Sequence, residues 1–244
     1  MSEYRYDLHV HSCLSPCADD DMTPANIAGM ASLNGISLLA LTDHNSAKNC
    51  PAFFEHCKRY GIVPIPGMEL TTSEDVHVIC LFPTLESALE MDRIAGEKLI
   101  KVKNRPEIFG RQIVVDENDD PKCELEDLII NATSLDLNAA YETVLSLGGV
   151  AYPAHIDRQA NGIVSILGTF PDSPRFTAYE LNDGDSAEGY VHRFSVLSGL
   201  KKIVSSDAHH LWSISDGSEM IELCDDPYSS DLVRRRLIDY LLGR

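Results

Sequence analysis

The sequence predicts an α/β fold, a barrel of mainly parallel strands interrupted by one long insertion. Three observations predict it. Seven short apolar runs alternate with helical patterns, and that alternation favours a parallel sheet. Nine metal-type side chains sit at the tips of those runs, and barrels of parallel strands carry their sites at the strand ends. Residues 84–133 are too long for an ordinary barrel connection.

The first strand is read over Tyr4–Val10. Thr23 suits a helix N-cap and Pro24 a first helical turn, so a helix runs through Asn26–Asn34 and stops at Gly35. Ser37–Thr42 is the second strand, and Ala52–Tyr60 a helix ended by Gly61. Val63–Leu70 and His77–Phe82 are the third and fourth strands. Only Thr71–Val76 lies between them, too short for a helical crossover, so the fourth strand is expected to return antiparallel. That would bring His77 back to the rim that holds Glu69. The insertion, read as a lid or small subdomain, holds a helical piece near Leu85–Lys103, then FGRQIVV, an acidic ENDD turn and KCELEDLI. Arg93, Lys98, Lys101, Lys103, Arg105 and Arg111 make it locally basic, which reads equally as a solvated helix face or a phosphate clamp. A helix starting at Ser134 or Asp136 runs to Leu147. Strands follow at Gly149–Pro153, Thr177–Leu181 and Lys202–Ser205, and a helix at Asp231–Leu242 closes the chain. The organisation is thus barrel over 1–83, insertion over 84–133 and barrel over 134–244.

Bulk properties narrow the function. No apolar run reaches the roughly 18 residues that span a bilayer, and MSEYRYDLHVHS lacks a signal-peptide core. A cytoplasmic protein without membrane association is expected. The seven cysteines are odd in number and irregularly spaced, with no CxxC pair, which argues against a disulfide framework. Cys13 and Cys17 lie close to the first histidines and read as free thiols or as a thiolate ligand. The formal net charge of −18 repels polyanions. Broad nucleic-acid binding is therefore not expected. A small phosphorylated substrate is, because bound cations invert the local field. Oligomeric state is left open by the sequence.

The donors carry the chemistry. Six of the nine histidines fall among them. His9 and His11 are i and i+2 on a strand, so both imidazoles face one side; Asp207 and His209 repeat the spacing on the last strand. Glu69 ends an apolar run, where its two oxygens can bridge two ions. Asp43 and His44 are adjacent and cannot both point inward, so His44 is read as the ligand and Asp43 as the group that orients a ligand. His77 and His155 complete the set. Imidazoles with carboxylates suit zinc, manganese or iron better than magnesium or calcium, and nine donors exceed one tetrahedral ion. Clustered ions activate water as hydroxide and neutralise phosphoryl charge, so no side-chain nucleophile is needed; GxSxG, P-loop and GxGxxG patterns are absent. Arg158, three residues past His155, is a candidate phosphate ligand or a partner of Asp157. His192 is a weaker candidate, on a helix after the sixth strand.

DLHVHS, LTDHNS, PGMELTT, VHVICLF, PAHIDR and SSDAH, in this order, resemble the PHP (polymerase and histidinol phosphatase) family over residues 5–82 and 149–210. The resemblance implies a distorted (β/α)7 TIM-like barrel, three divalent metal ions and phosphoester hydrolysis. It implies His9, His11, Glu69 and Asp207 for the first ion, and His44 and His209 with a loop ligand for the second. Glu69, His77 and His155 are implied for the third. Counting back from Thr23 selects Asp19 as the loop ligand, with Asp20 or Asp21 as substitutes if the loop bulges. The expected function is a metal-dependent phosphoesterase acting on a nucleotide, an oligonucleotide end or a metabolite phosphate. The alternatives are an amidohydrolase-like C–N hydrolase in the same kind of barrel and a non-catalytic metal-binding module.

Overall fold

The structure is a computed structural model and describes residues 1–224 and 229–244. The chain runs β1 (Ser2–Asp7), α1 (Pro24–Leu33), β2 (Leu38–Leu41), α2 (Cys50–Tyr60), β3 (Val63–Thr71), β4 (His77–Leu81) and α3 (Leu85–Lys98). It continues through α4 (Pro106–Phe109), β5 (Ile113–Val115), β6 (Pro121–Glu124), α5 (Leu137–Ser146), β7 (Val150–Pro153), α6 (Ile163–Leu167) and β8 (Ala178–Leu181). The last elements are α7 (Ala187–Arg193), β9 (Lys201–Val204), β10 (Met220–Leu223) and α8 (Ser230–Leu241).

All seven strands expected from the apolar runs form. They build a mixed α/β fold around a curled half-barrel sheet of order β10-β1-β2-β3-β4-β7, beside a parallel β8-β9 pair. β1, β2 and β3 are parallel neighbours, as the helical crossovers α1 and α2 require. β4 returns antiparallel with His77 opposite Thr71, and β7 is antiparallel to β4. Beyond the strand ends the backbone continues the pattern. Ile156 N donates to Glu180 O at 2.9 Å, His11 N donates to Ala208 O at 3.0 Å, and Val10 forms a parallel bridge with Ala208.

Burial explains the curl. β2 and β3 are buried along their whole lengths, as strands covered on both faces must be. On β2 the alternation splits two cores. Leu39 and Leu41 pack outward with Ile27 and Phe53 of α1 and α2. Leu38 and Ala40 pack inward with Tyr6, Ile65 and Tyr152, and α8 adds Val233 and Leu237 to the same inner cluster. Gly67 is required where β3 meets β4, because a Cβ there would lie 2.6 Å from Cys80 O.

The structure adds elements that the apolar runs did not reveal: the β5-β6 hairpin, the short helices α4 and α6, and β10, which pairs antiparallel with β1. The first helix of the insertion also stops at Lys98 rather than Lys103. Beyond it the backbone turns to run beside residues 126–133, with Ile100 N donating to Ala132 O and Leu128 N to Val102 O. The insertion is firmly docked. Ile113 N donates to Cys13 O at 2.8 Å, and Asn45 Nδ2 donates to Ile129 O and Asn131 O. Four of its six flagged cations pair with nearby acids: Arg93 with Glu90 and Glu97, Lys101 with Asp127, Lys103 with Glu126, and Arg111 with Asp20 and Glu124. That favours the solvated-face reading over the clamp. Among the described residues no helix is long and apolar enough to cross a membrane.

Candidate metal centre

Strand ends deliver the donors to one place. His9 and His11 follow β1, and the residue between them, Val10, is turned into the outer core. His44 follows β2 and forms a parallel bridge with Glu69 of β3. His77 opens β4, and His155 lies two residues past β7. Asp207 and His209 follow β9. His155 (φ 27°) and Asp207 (φ 52°) both adopt the left-handed region, uncommon for non-glycine residues and concentrated at functional sites.

Glu69 is the hub. Its Oε1 lies 2.7 Å from His77 Nδ1, 3.0 Å from His155 Nε2 and 3.5 Å from His9 Nε2. Its Oε2 lies 3.0 Å from His44 Nδ1 and 3.4 Å from His11 Nε2. Asp207 Oδ1 lies 3.2 Å from Nε2 of both His9 and His11, is buried and accepts no hydrogen bond. Three donor groups each gather within 4.8 Å: His9, His11 and Glu69; His11, His44 and His209; His44, Glu69 and His77.

The hydrogen bonds fix what these nitrogens present. Glu180 Oε1 lies 2.8 Å from His9 Nδ1, so the ring proton belongs on Nδ1 and Nε2 carries a lone pair. Ser15 Oγ donates to Asp43 Oδ1 at 2.7 Å, which leaves it to accept from His11 Nδ1 at 2.9 Å. His11 Nε2 is then a lone pair too. The two Nε2 atoms stand 3.0 Å apart, with Asp207 Oδ1 beside them. Lone pairs and a carboxylate in such proximity repel unless a proton or a metal cation is shared among them, so the donor set fits bound divalent ions.

The electrostatics agree. Burial opposes charge on His9, but Glu180, Asp207 and Glu69 outweigh it and raise its pKa well above the ordinary imidazole value. Burial opposes charge on His155 too, and Glu69 raises it. His11 and His44 are lowered, by burial first; the neighbouring imidazoles add to this. Burial works against ionised Glu69, yet His77, His9 and His44 hold it well below the usual carboxylate range. Asp207 is lowered against burial by His9 and His11. A cluster that keeps its carboxylates anionic against burial and draws positive charge onto His9 and His155, with His11 and His44 held neutral, is one poised for cations.

The remaining candidates divide. Asp43 stands behind the donors and accepts from Ser12 N, Ser12 Oγ and Ser15 Oγ, each at 2.7 Å. Arg158 Nη1 pairs with Asp207 Oδ2 at 2.5 Å rather than with Asp157, which instead accepts from Asn182 and Asp183 backbone. His192 is exposed on α7 and does not line the pocket. Asp19 is not brought to the cluster. Its Oδ2 lies 2.6 Å from His210 Nδ1, because its backbone N–H is tied to His209 O and the side chain turns outward. Asp20 pairs with Arg111, and Asp21 is exposed. Instead Cys17 lines the pocket, its sulfur 3.2 Å from His44 Nε2. Desolvation of the sulfur, with Glu69, pushes this thiol up to about 12. Glu180, fully buried and bonded to His9 Nδ1 and to His155 N, was overlooked in the sequence. Its signal was a carboxylate one residue before the end of an apolar strand.

The pocket over this cluster has a volume of ≈ 190 Å³ and is lined by Cys17, Glu69, Arg158, Asp207 and the surrounding histidines.

The family model of the PHP domain matches residues 7–146, more than half of the chain. An error-prone DNA polymerase from Symbiobacterium thermophilum is 38% identical over 74 residues, which is 30% of this chain and 7% of that protein. A 5'-3' exoribonuclease from Haemophilus influenzae is 28% identical over 102 residues, 38% of this chain and 36% of that enzyme. The chain thus spans about a third or less of the length of these relatives. Among solved structures, the lesion-specific endonuclease EndoQ from Pyrococcus furiosus superposes with a TM-score of 0.63 at 18% identity, covering 99% of this chain and 56% of that one. A second endonuclease Q structure, at TM-score 0.60, 18% identity and coverage of 99% and 57%, holds a 27-mer duplex with an abasic lesion at its active site. These findings overturn the expectation that broad nucleic-acid binding is disfavoured. The physical error was to treat a whole-molecule charge as a local one. Fields from dispersed surface carboxylates are screened within about 8 Å at physiological ionic strength, so the net charge says little about the pocket itself.

Proposed function

The chain belongs to the PHP domain family, and from that premise we propose that it is a metal-dependent hydrolase of phosphoester bonds in nucleic acid, acting at an oligonucleotide end or a nucleotide. The observation that carries the reading is the convergence of six imidazoles, Glu69 and Asp207 in one cluster, with four of the imidazoles lining the pocket above it and Arg158 at its edge.

Three divalent ions would be held as follows: one by His9, His11, Glu69 and Asp207, one by His44 and His209, and one by Glu69, His77 and His155. When bound, such ions lower the pKa of water and neutralise charge growing on phosphoryl oxygens. The protein's own groups do the rest. Glu180 holds the proton of His9 on Nδ1, and Asp43, through Ser15, holds that of His11 on Nδ1; both acts point Nε2 into the site. Arg158, anchored on Asp207, offers its remaining guanidinium N–H groups to a phosphate oxygen. Strands β1, β2, β3, β4, β7, β8 and β9, with their strand-end hydrogen bonds, support a distorted (β/α)7 barrel. Residues 84–133 would wall its rim, where Ile130 meets the pocket. A candidate surface for the substrate body follows His209 in the chain. Trp212, the chain's single tryptophan, is 74% exposed and stacked on His210 at 4.5 Å and 5°. Exposed aromatics of this kind take up unstacked bases.

The test compares hydrolysis of a 5'-phosphorylated oligonucleotide with that of an aryl phosphodiester. Activity lost on chelation and restored by manganese or zinc, and absent in His9→Ala/His11→Ala, is the expected outcome. Turnover persisting in that double variant would refute the reading.

A further inference from the structure

Resting on the metal-dependent reading above, we infer that Cys17 supplies the loop ligand of the ion held by His44 and His209, so that this corner of the centre is a thiolate–imidazole site. No carboxylate of the loop that follows His11 reaches the pocket. Asp19 is engaged by His210, Asp20 by Arg111, and none of Asp19, Asp20 and Asp21 lines the pocket. Cys17 is the one residue of that loop lining the cavity, and its sulfur lies 3.2 Å from His44 Nε2. Two atoms bound to one tetrahedral ion through nitrogen and sulfur sit roughly 3.5 Å apart, so the observed separation needs only a small adjustment.

The cysteine does not stand alone. His11, His44 and His209 already bring donor atoms within 4.8 Å of one another on the same side. Asp207 Oδ1, buried and without a hydrogen-bond partner, faces the same cluster. The loop is also built to hold the sulfur there. Ser15 is fixed by Asp43, Ala18 N donates to Ser15 O, and Asp19 N donates to His209 O. Pro16 is pressed against the insertion so closely that a Cβ on Gly110 would lie 1.9 Å from Pro16 O. Cys17 sits between these anchors.

The consequence is metal choice. Thiolate with imidazole favours zinc or cobalt over manganese and magnesium, which prefer oxygen ligands. A plain thiol–imidazole hydrogen bond is the competing explanation, and the two are separable by spectroscopy. The chelated full-length protein is reloaded with cobalt(II), and the bound metal is counted alongside the near-ultraviolet spectrum. A thiolate-to-cobalt charge-transfer band in wild type, lost in Cys17→Ser and in Cys17→Asp, is the expected result. Cys17→Asp is further expected to retain bound metal while its preference for zinc over manganese falls by at least about tenfold, the scale on which ligand surroundings tune affinity. Full cobalt occupancy in wild type without the band, or a band that survives Cys17→Ser, overturns the inference while leaving the metal-dependent reading intact. Failure of wild type to bind cobalt at all sinks both.

Discussion

Glu180 makes no contact that the sequence pattern could advertise, yet it decides which nitrogen His9 presents to the site. Its conservative replacement, Glu180→Gln, removes a charge and keeps the shape. Metal affinity is expected to fall about 10–100-fold, the range for lost partners of metal-ligating histidines, with the fold retained. A competitive-chelator titration beside a circular dichroism spectrum checks this; unchanged affinity would mean that Glu180 only fills space. Arg158→Ala is expected to raise KM for phosphorylated substrates and leave metal content unchanged, since its pair with Asp207 sits at the half-exposed edge of the pocket. At this scale the sequence was most legible where a donor occupies a strand end with a partner two residues away, as in His9/His11 and Asp207/His209. It was least legible in the loop after His11. There the positions of Asp19 and Cys17 are set by contacts with His209, His210 and Gly110, residues about 90 to 190 positions distant along the chain. Spacing from Thr23 carries no information about those contacts.

Elements place the residues, and the tightest placement is the β3–β4 pair that brings Glu69 and His77 together. The short Thr71–Val76 connection made the antiparallel return readable before any coordinates, because a parallel crossover cannot be that short. Gly67 is its structural requirement. Gly67→Ala would set a Cβ 2.6 Å from Cys80 O and 2.8 Å from Leu81 Cδ2. The expected destabilisation is about 1–3 kcal/mol, typical of overpacking, measured as a lower denaturant midpoint with unchanged slope. Of the elements missed, β5 is only three residues long, too short an apolar run to read as a strand, whereas β6 and β10 share another physical reason. β6 is exposed along its whole length and β10 alternates, so neither carries the continuous apolar signal of β2 and β3. The short helical turn Leu211–Ser213 carries Trp212 against His210. Trp212→Ala is expected to weaken oligonucleotide turnover by the equivalent of about 1–3 kcal/mol, the worth of one stacked base. Aryl phosphodiester turnover should be unaffected; equal losses on both substrates would rule out a stacking role.

Across the whole molecule, charge and protonation set the conditions of function. The net charge of −18 acts on a polyanion only while salt is too dilute to screen it, so salt should not weaken oligonucleotide turnover as it does for basic nucleases. kcat/KM is expected to hold or rise from low to physiological ionic strength, and a steep fall would contradict this. The pH response follows from the centre. In chelated protein, His9 and His155 have raised pKa values, so their contribution to stability is complete below the unfolded value of about 6.5 and is lost as pH rises through their folded values. Glu69 and Asp207 are lowered, so theirs is lost as pH falls through their folded values. Metal ions replace the protons of the imidazoles. The gain in Tm on adding zinc or manganese is therefore expected to grow from mildly acidic to mildly alkaline pH. All of this depends on cations being shared among the strand-end donors, and an anomalous-difference map from crystals grown with manganese or zinc tests that directly. Peaks are predicted within bonding distance of Glu69, among His9, His11 and Asp207, beside His44 and His209, and between His77 and His155. A map with fully loaded metal in solution but no peak at Glu69 would contradict the account.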